Sequence, residues 1–464
     1  MMGRLPTGQN QLFYDFCLEE YVPEKHVLRG LDRFLDFTRI RKHLAPYYSD
    51  IGRPSVDPEL MIRMLLVGYC FGIRSERRLC EEVHLNLAYR WFCRLGLEDQ
   101  VPEHSTFSKN RHGRYRDCEL FRFVFESVVE RCMDEGLVRG EGFAVDASLI
   151  RADANRKRGF PGTEGIEWER PGRKTRAVRE YLDALGNDEQ VVQAHEATRK
   201  AISLTDPASC WTSAPGGPAN YAYSTNYLVD IDSAIILGVE GSPSTLSEEA
   251  QAARTMIDHT EKRFGIKPEH LAGDTAYGNA RMLGWLVEEK QIVPHVPVMG
   301  RFEGKDGQFG RSDFTWEPEA DRYLCPGGKP LVRNRRQFKN KRTGVTKANT
   351  IIYRASQSDC GLCSMKDKCC PKEPARKIHR SIHEDARDLA RALATTEVYA
   401  RSRNNRKKVE MLFAHLKRIL RFERLRLRGP LGAQDEFLLV ATVQNLRKLA
   451  KLVMPPCPEV QIVT

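Results

Sequence analysis

Gly142-Phe-Ala-Val-Asp146-Ala-Ser148 is an apolar run of strand-forming residues that meets a carboxylate. This pattern predicts a buried strand over residues 143–146 with Asp146 at its end. A second stretch, His270-Leu-Ala-Gly-Asp274-Thr-Ala-Tyr-Gly278, predicts another strand over residues 268–274 that ends in an acid. If the two strands are neighbours in one sheet, their acids can converge on one site.

The segments around these strands predict a mixed sheet flanked by helices, an α/β fold. Residues 221–231, in which apolar and polar residues partly alternate, and the apolar run 234–239 flank Asp232-Ser233, which predicts a hairpin. Further along, predicted helices and strands alternate: helix 247–264, strand 268–274, helix 280–290 and strand 292–298. The strands thus begin in a hairpin and then alternate with helices.

The rest of the chain divides around this sheet. We expect an N-terminal helical domain over residues 1–120, a catalytic core over 121–299, a basic insertion with cysteines over 300–381, and C-terminal core helices over 382–464. Short helices between residues 57 and 114, the last of them basic, fit a DNA-binding module of the helix-turn-helix type. A helical bundle with a solvated basic face explains them equally well. Residues 151–179 predict a loop, either a ligand contact or a solvated connection.

Composition favours a polyanionic partner. The 464 residues are 41% hydrophobic, enough for two or three globular domains, and carry a net charge of +11. Residues 1–30 show no signal peptide or anchor, and the longest apolar stretch, residues 60–73, contains Arg63 and is too short to span a membrane. We therefore expect a cytoplasmic protein that has no membrane partner.

A third acid, Glu410, lies in a basic segment with helical periodicity. Eleven Lys or Arg and two Glu occur between residues 401 and 428. At about 100° per residue, one helical face within an arc of roughly 60° would hold four polar side chains: Arg403, Arg406, Glu410 and Lys417. A carboxylate among phosphate-binding cations fits a site that DNA enters. An amphipathic surface helix in which Glu410 neutralises its neighbours is the alternative.

Together the three acids predict a phosphoryl-transfer site that uses two metal ions. Asp146, Asp274 and Glu410 supply the hard oxygen ligands that Mg²⁺, or Mn²⁺, prefers. Singly, an Asp after a strand is most often a turn former or helix cap, and a Glu in a basic helix a salt-bridge partner. The prediction therefore depends on the three acids occurring together.

Cysteines indicate a second, structural metal site. The chain has 13 cysteines, a number that in a cytoplasmic protein favours reduced thiols over disulfides. Within the insertion, four of them could bind Zn²⁺ tetrahedrally: Cys325, Cys360, Cys363 and Cys369. The alternative is a set of reduced thiols without metal.

At these motifs the chain resembles bacterial insertion-sequence transposases of the DDE type, in the group that contains the insertion sequence 4, 5 and 1182 families. The third-acid region of that group reads Tyr, two residues, Arg, three residues, Glu, six residues, Lys. Arg406, Glu410 and Lys417 match this spacing, and Arg403 replaces the Tyr. The resemblance extends to the regions of Asp146 and Asp274 and to the N-terminal helices.

The resemblance implies a ribonuclease H-like core with an insertion between the second and third acids. It implies hydrolysis of a phosphodiester at the element end, followed by attack of the freed 3′ hydroxyl on target DNA. The DNA contacts would come from Arg403, Arg406, Lys417 and Tyr277. The partners would be double-stranded DNA, as terminal repeats and target, and further copies of the chain in a homodimer or larger synaptic complex on the nucleoid. A catalytically decayed DNA-binding relic or regulator, and a ribonuclease H-like nuclease without strand transfer, are the alternatives.

Overall fold

The computed structural model describes residues 16–49, 51, 55–170, 172–213, 216–300, 307–333 and 344–453. The chain divides into two compact units. Unit 1 comprises Met1–Arg139, Asp146–Lys267 and Lys408–Thr464, and unit 2 comprises Gly140–Val145 and Pro268–Lys407. Of the segments used above, residues 1–15 and 334–343 lie outside the described residues.

Unit 1 begins with nine helices in the described residues. They are α1 Leu18–Tyr21, α2 Val27–Arg33, α3 Phe37–Leu44, α4 Pro58–Phe71, α5 Glu76–Leu85, α6 Leu87–Phe92, α7 His104–His112, α8 Arg114–Asp117 and α9 Leu120–Asp134. The predicted starts of α4 and α5 are capped, since Asp57 accepts a hydrogen bond from the Glu59 amide (2.8 Å) and Ser75 one from the Arg78 amide (3.5 Å). Gly72 ends α4 in the left-handed conformation at φ +70°.

The elements from residue 142 to 264 follow. They are β1 Gly142–Arg151, β2 Gly159–Phe160, α10 Arg176–Ala184, α11 Glu189–Ala197, β3 Ile202–Ser203, β4 Cys210–Thr212, β5 Asn220–Asp230, β6 Ile236–Pro243 and α12 Leu246–Phe264. The predicted hairpin is present: β5 and β6 are antiparallel, with Tyr227 opposite Val239. In unit 1, β5 also pairs with β4 and is the neighbour of β1.

Unit 2 contains the parallel part of the sheet. Its elements to residue 405 are β7 His270–Ala272, α13 Ala280–Gly284, β8 Val293–His295, β9 Thr315–Glu317, β10 Arg322–Leu324, β11 Pro330–Val332, β12 Thr350–Arg354, α14 Gln357–Gly361, α15 Lys366–Cys369, β13 Lys377–Ser381, α16 Glu384–Leu393 and α17 Glu397–Asn405. The beginning of β1 pairs in parallel with β7, from Gly142 opposite His270 to Ala144 opposite Ala272, and β7 pairs in parallel with β8.

The segment predicted as an insertion contains a sheet of its own. Strands β9 to β13 form a five-stranded sheet in the order β13-β12-β11-β10-β9, and all of its pairings are antiparallel. Phe314, Tyr323, Leu331 and Tyr353 are the large residues of its core. The strands are only three to five residues long, and such short strands give little periodicity in the sequence.

Two C-terminal helices complete the fold: α18 Lys407–Arg418 and α19 Pro430–Val453. Within unit 1, α19 contacts α9, β6, α2 and α4, and its central residues are almost continuously buried. The helix begins at Pro430, and proline is well tolerated in the first turn of a helix. Among the described residues, no helix combines the length and the apolar character needed to cross a bilayer.

Candidate functional site

Asp146 lies inside β1 and not at the predicted strand end. Beyond it, β1 is kept extended by hydrogen bonds to distant segments: the Arg151 amide donates to the Glu423 carbonyl (3.1 Å), and the Leu425 amide donates to the Arg151 carbonyl (2.7 Å). The Asp146 side chain is half-buried, and its Oδ1 accepts from the Ala147 amide at 2.9 Å. The apolar run was thus only the first half of a longer strand.

Asp274 follows β7 by two residues and caps a short turn. Its Oδ1 accepts a hydrogen bond from the Ala276 amide at 2.8 Å, and the side chain is half-buried. Beside it, a Cβ on Gly273 would lie 3.1 Å from the Tyr277 ring and 3.2 Å from Val145 Cγ2. The Tyr277 side chain packs closely against the backbone of Gly273 and is only 1% exposed, so its ring is not on the surface where a DNA contact was expected.

Glu410 lies in the first turn of α18, on its exposed side. Val409, Phe413 and Leu416 form the buried stripe of this helix, in keeping with the helical periodicity of the segment. Lys417 is seven residues after Glu410, two helical turns, and therefore lies on the same face. Burial lowers the pKa of Lys417, and the nearby carboxylate of Glu423 opposes this effect.

The polar face from residue 403 to 417 does not run along one continuous helix. Helix α17 ends at Asn405, Arg406 is its C-cap, and α18 begins at Lys407. Asparagine side chains compete for backbone hydrogen bonds, and the pair Asn404-Asn405 therefore weakens the helix here. Arg403 is exposed on α17 and Arg406 is half-buried. Both belong to unit 2, whereas Glu410 and Lys417 belong to unit 1.

The predicted basic helix among the N-terminal helices, α7, exposes less charge than its sequence suggests. Arg111 is 5% exposed, and its Nη1 lies 3.1 Å from Glu76 Oε1. Burial, with the positive charges of Arg176, Arg116 and Arg111, lowers the pKa of His112 to about 4. Lys109 is the exposed cation that remains on α7. Much of the positive charge in this helix is therefore neutralised or internal.

The zinc site predicted in the insertion is not formed. Cys325, Cys360 and Cys369 pack beside the apolar core of the five-stranded sheet. Burial, with the nearby thiol of Cys370, raises the pKa of Cys369 to about 12. Within the described ranges, no group of three or more His, Cys, Asp or Glu side chains is placed to hold a metal ion. Within unit 2, the four thiols do not form such a group.

Two protein-family models match parts of the chain. A model described as a transposase domain (DUF772) matches residues 16–113, and one described as a transposase DDE domain matches residues 324–450. Both matches support a DDE transposase. No curated protein and no solved structure matches the chain.

The two matches cover different parts of the chain, and one of them includes the third acid. The first spans the helices from α1 to α7, and the second spans Arg403, Arg406, Glu410 and Lys417. Asp146 and Asp274 fall between them. The matches support transposition of a mobile element with DNA as the substrate, and they do not distinguish among insertion-sequence groups.

The sequence predicted residues 151–179 as a loop that could contact a ligand, but it singled out none of the arginines around the end of β1, which include Arg156, Arg158 and Arg428. They line a cavity in unit 1 together with Arg151 and Arg424. The signal for some of them was the excess of Lys and Arg between residues 401 and 428, which was assigned to one helix face. Four of these charges, Arg421, Arg424, Arg426 and Arg428, follow α18, in the segment that joins it to α19.

Proposed function

We propose that the protein is a DNA transposase that binds the ends of its element and catalyses strand cleavage and strand transfer through Asp146, Asp274 and Glu410. The observation that carries the proposal is the match of residues 324–450 to a transposase DDE domain, because this segment contains Glu410. Near the N-terminus, residues 16–113 match a second transposase domain, and this match supports the same function.

The strand pairing supports the assignment of the first two acids. Within unit 2, Ala144 of β1 pairs in parallel with Ala272 of β7. Asp146 and Asp274 each follow one member of this pair by two residues in the sequence. This equal offset from one parallel pair supports the assignment of both acids to one site. A ribonuclease H-like arrangement of the mixed sheet is therefore part of the proposal.

The three acids have the donor chemistry that divalent cations require. Carboxylate oxygens are the hard ligands that Mg²⁺ and Mn²⁺ prefer. Among the described residues, Asp274 accepts the hydrogen bond of the Ala276 amide through Oδ1, and Oδ2 would be its ligand to a cation. Two such cations, when bound, would activate the attacking oxygen and stabilise the leaving oxygen of the phosphodiester. Exposure of Glu410 suits an acid that receives a large substrate.

The cations near the third acid would bind and orient the substrate. Lys417 is half-buried, and burial favours its neutral form, so a nearby phosphate would restore the stability of the ammonium. Arg406 and Arg403 would contact phosphates from α17 as charge-assisted donors. The proposed DNA contacts do not include Tyr277, because its ring is buried. No side-chain nucleophile is required, since water and then the 3′ hydroxyl of the DNA attack phosphorus.

The test separates cleavage from binding. Asp146→Asn, Asp274→Asn and Glu410→Gln keep the size of each side chain and remove its charge, and Glu397→Gln, at an exposed helix position, is the matched control. The substrate is duplex DNA carrying the inverted repeat that flanks the gene. We expect each acid variant to lose Mg²⁺-dependent nicking and joining while binding the repeat as the native chain does. If a variant still joins DNA, the replaced residue does not belong to the catalytic site. If the native protein binds the repeat without cutting it, the alternative of a catalytically decayed DNA-binding regulator is favoured.

A further inference from the structure

Two cavities in unit 1 share a common wall, and in each the cations that line it outnumber the acids. The first, of about 640 Å³, contains Arg156, Arg158 and Arg428 and is called the Arg158 cavity. The second, of about 690 Å³, contains Lys417, Arg418 and Arg421 and is called the Arg421 cavity. Arg151, Asp153 and Arg424 line both. The cavities are therefore adjacent parts of one cationic surface.

Distant segments build the common wall. The backbone of Arg151 at the end of β1 forms a parallel bridge with Arg424, in the segment between α18 and α19. On the other side, a Cβ on Gly72 would lie 3.2 Å from both the Leu420 carbonyl oxygen and Arg421 Cβ, so the end of α4 packs directly against this segment. Arg421 itself has a left-handed backbone at φ +53°. The cations are thus held on well-packed backbone.

The acids of the two cavities neutralise few of these cations. Asp153 binds Arg424 Nη2 at 2.8 Å and Arg428 Nε at 2.9 Å, and Glu423 binds Arg151 at 3.1 Å. Six other cations that line the cavities form no ion pair with any residue that the structure describes: Arg156, Arg158, Lys417, Arg418, Arg421 and Arg426. A polyanion would supply the charge that this surface lacks.

The lining distinguishes a backbone contact from a base contact. Tyr221 is the aromatic residue that lines the Arg158 cavity, and it is only 2% exposed. Proteins that hold single strands stack the bases on exposed aromatic rings, and such rings are missing among the described lining residues of both cavities. Arginine and lysine without stacking partners are the side chains that bind phosphates and fix register on a duplex.

We infer that the Arg158 cavity and the Arg421 cavity form one track that holds the sugar-phosphate backbone of double-stranded DNA without reading its bases. The inference rests on the proposed function for the choice of DNA as the partner. It extends that function by assigning arginines of the β1 end and of the α18–α19 segment, beyond the contacts proposed near Glu410, to the binding of duplex DNA.

Two double variants test the two cavities in turn. Arg156→Ala/Arg158→Ala removes two cations without ion pairs from the first and Arg418→Ala/Arg426→Ala two from the second, and all four side chains are exposed. Arg139→Ala/Lys262→Ala removes two exposed cations that line neither cavity and serves as the matched control. Circular dichroism and the thermal unfolding midpoint establish that each variant is folded.

Binding is measured by fluorescence anisotropy between about 50 and 200 mM salt, where phosphate contacts dominate the salt dependence. The probes are an element-end duplex, a duplex of scrambled sequence and one of its single strands. We expect each track variant to bind both duplexes roughly tenfold more weakly, with a salt slope shallower by about 1.8, because two phosphate contacts are lost. The ratio of affinities for the two duplexes should stay unchanged, as should binding by the control.

Three results would overturn the track: native salt slopes in both double variants, a loss confined to the element-end duplex, or a loss confined to the single strand. The outcome is independent of the proposed catalysis. If the acid variants lose cleavage and the track variants bind normally, the track is wrong and the transposase stands. If the track variants behave as expected and the native chain never cuts DNA, the track stands and the transposase is wrong.

Discussion

Replacing Glu436 by glutamine should be among the most destabilising single substitutions in unit 1. Glu436 is fully buried near the start of α19. Its Oε1 accepts from the amides of Arg426 (2.6 Å) and Leu427 (2.7 Å), and its Oε2 accepts from the Tyr69 hydroxyl (3.1 Å) and from Arg74. One carboxylate therefore joins α4, Arg74 and the segment that lines the Arg421 cavity.

The cost follows from these partners. An amide nitrogen at the position of Oε2 would face two donors, and the Arg74 guanidinium, whose side chain is 8% exposed, would lose its counter-charge. Removing one partner of a buried ion pair costs about 3–5 kcal/mol. Because glutamine can still accept from the two amides through its oxygen, we place the loss at the lower end, about 3 kcal/mol.

Urea unfolding followed by circular dichroism measures this loss, with the exposed Glu98→Gln as control. The double variant Arg74→Met/Glu436→Gln tests the reason, because it removes the unpaired charge and keeps an apolar stem over the Phe422 ring, which lies 4.4 Å from the Arg74 guanidinium carbon. We expect the double variant to be more stable than Glu436→Gln alone by at least about 1 kcal/mol. Additive losses, or a Glu436→Gln loss below about 1 kcal/mol, would refute the reasoning.

Three further predictions concern the backbone, the pH dependence and the cations. Gly72→Ala should lower the free energy of unfolding by about 1–2 kcal/mol, measured by urea unfolding, because φ is +70° and the new Cβ would crowd Leu420 and Arg421; an unchanged midpoint would exclude this strain. Burial raises the pKa of Asp206 to about 6, above its pKa of about 4 in the unfolded chain. The folding stability that protonation of Asp206 contributes is therefore fully present below about pH 4 and is lost as the pH rises through about 6. Asp206→Asn should therefore flatten the stability profile between pH 4 and 6, and an unaltered profile would remove Asp206 as its source. Chelation of divalent cations should abolish nicking and leave duplex binding by anisotropy unchanged, whereas nicking that survives chelation would contradict the assigned role of the acids.

Local patterns in the sequence predicted the elements that depend on neighbouring residues. The hairpin of β5 and β6, the caps at Asp57 and Ser75 and the buried stripe of α18 follow from alternation, capping chemistry and helical spacing. For the same reason the mixed α/β class was predictable. The family model of a transposase DDE domain matches residues 324–450, and this range includes Glu410 and the basic residues around it.

Contacts between distant segments decided what the sequence could not predict. β1 continues past Asp146 because its far end bonds to residues 423–425. Arg111 appears in the sequence as surface charge and is buried against Glu76. The two cationic cavities combine arginines near residues 74, 156 and 424, and no window of sequence contains all three. The thiols of the insertion were interpreted either as zinc ligands or as reduced thiols without metal, and three of them, Cys325, Cys360 and Cys369, pack along an apolar core.

The central claim is that Asp146, Asp274 and Glu410 together hold the cations of the reaction. Counting Mn²⁺ ions by electron paramagnetic resonance, on the native chain bound to its element-end duplex, tests it without relying on activity. The account predicts two bound ions for the native chain, and fewer for each of Asp146→Asn, Asp274→Asn and Glu410→Gln with the DNA still bound. A native count of two that persists in any of these variants would contradict the assignment of that acid, and a native count of zero on bound DNA would contradict the site as a whole.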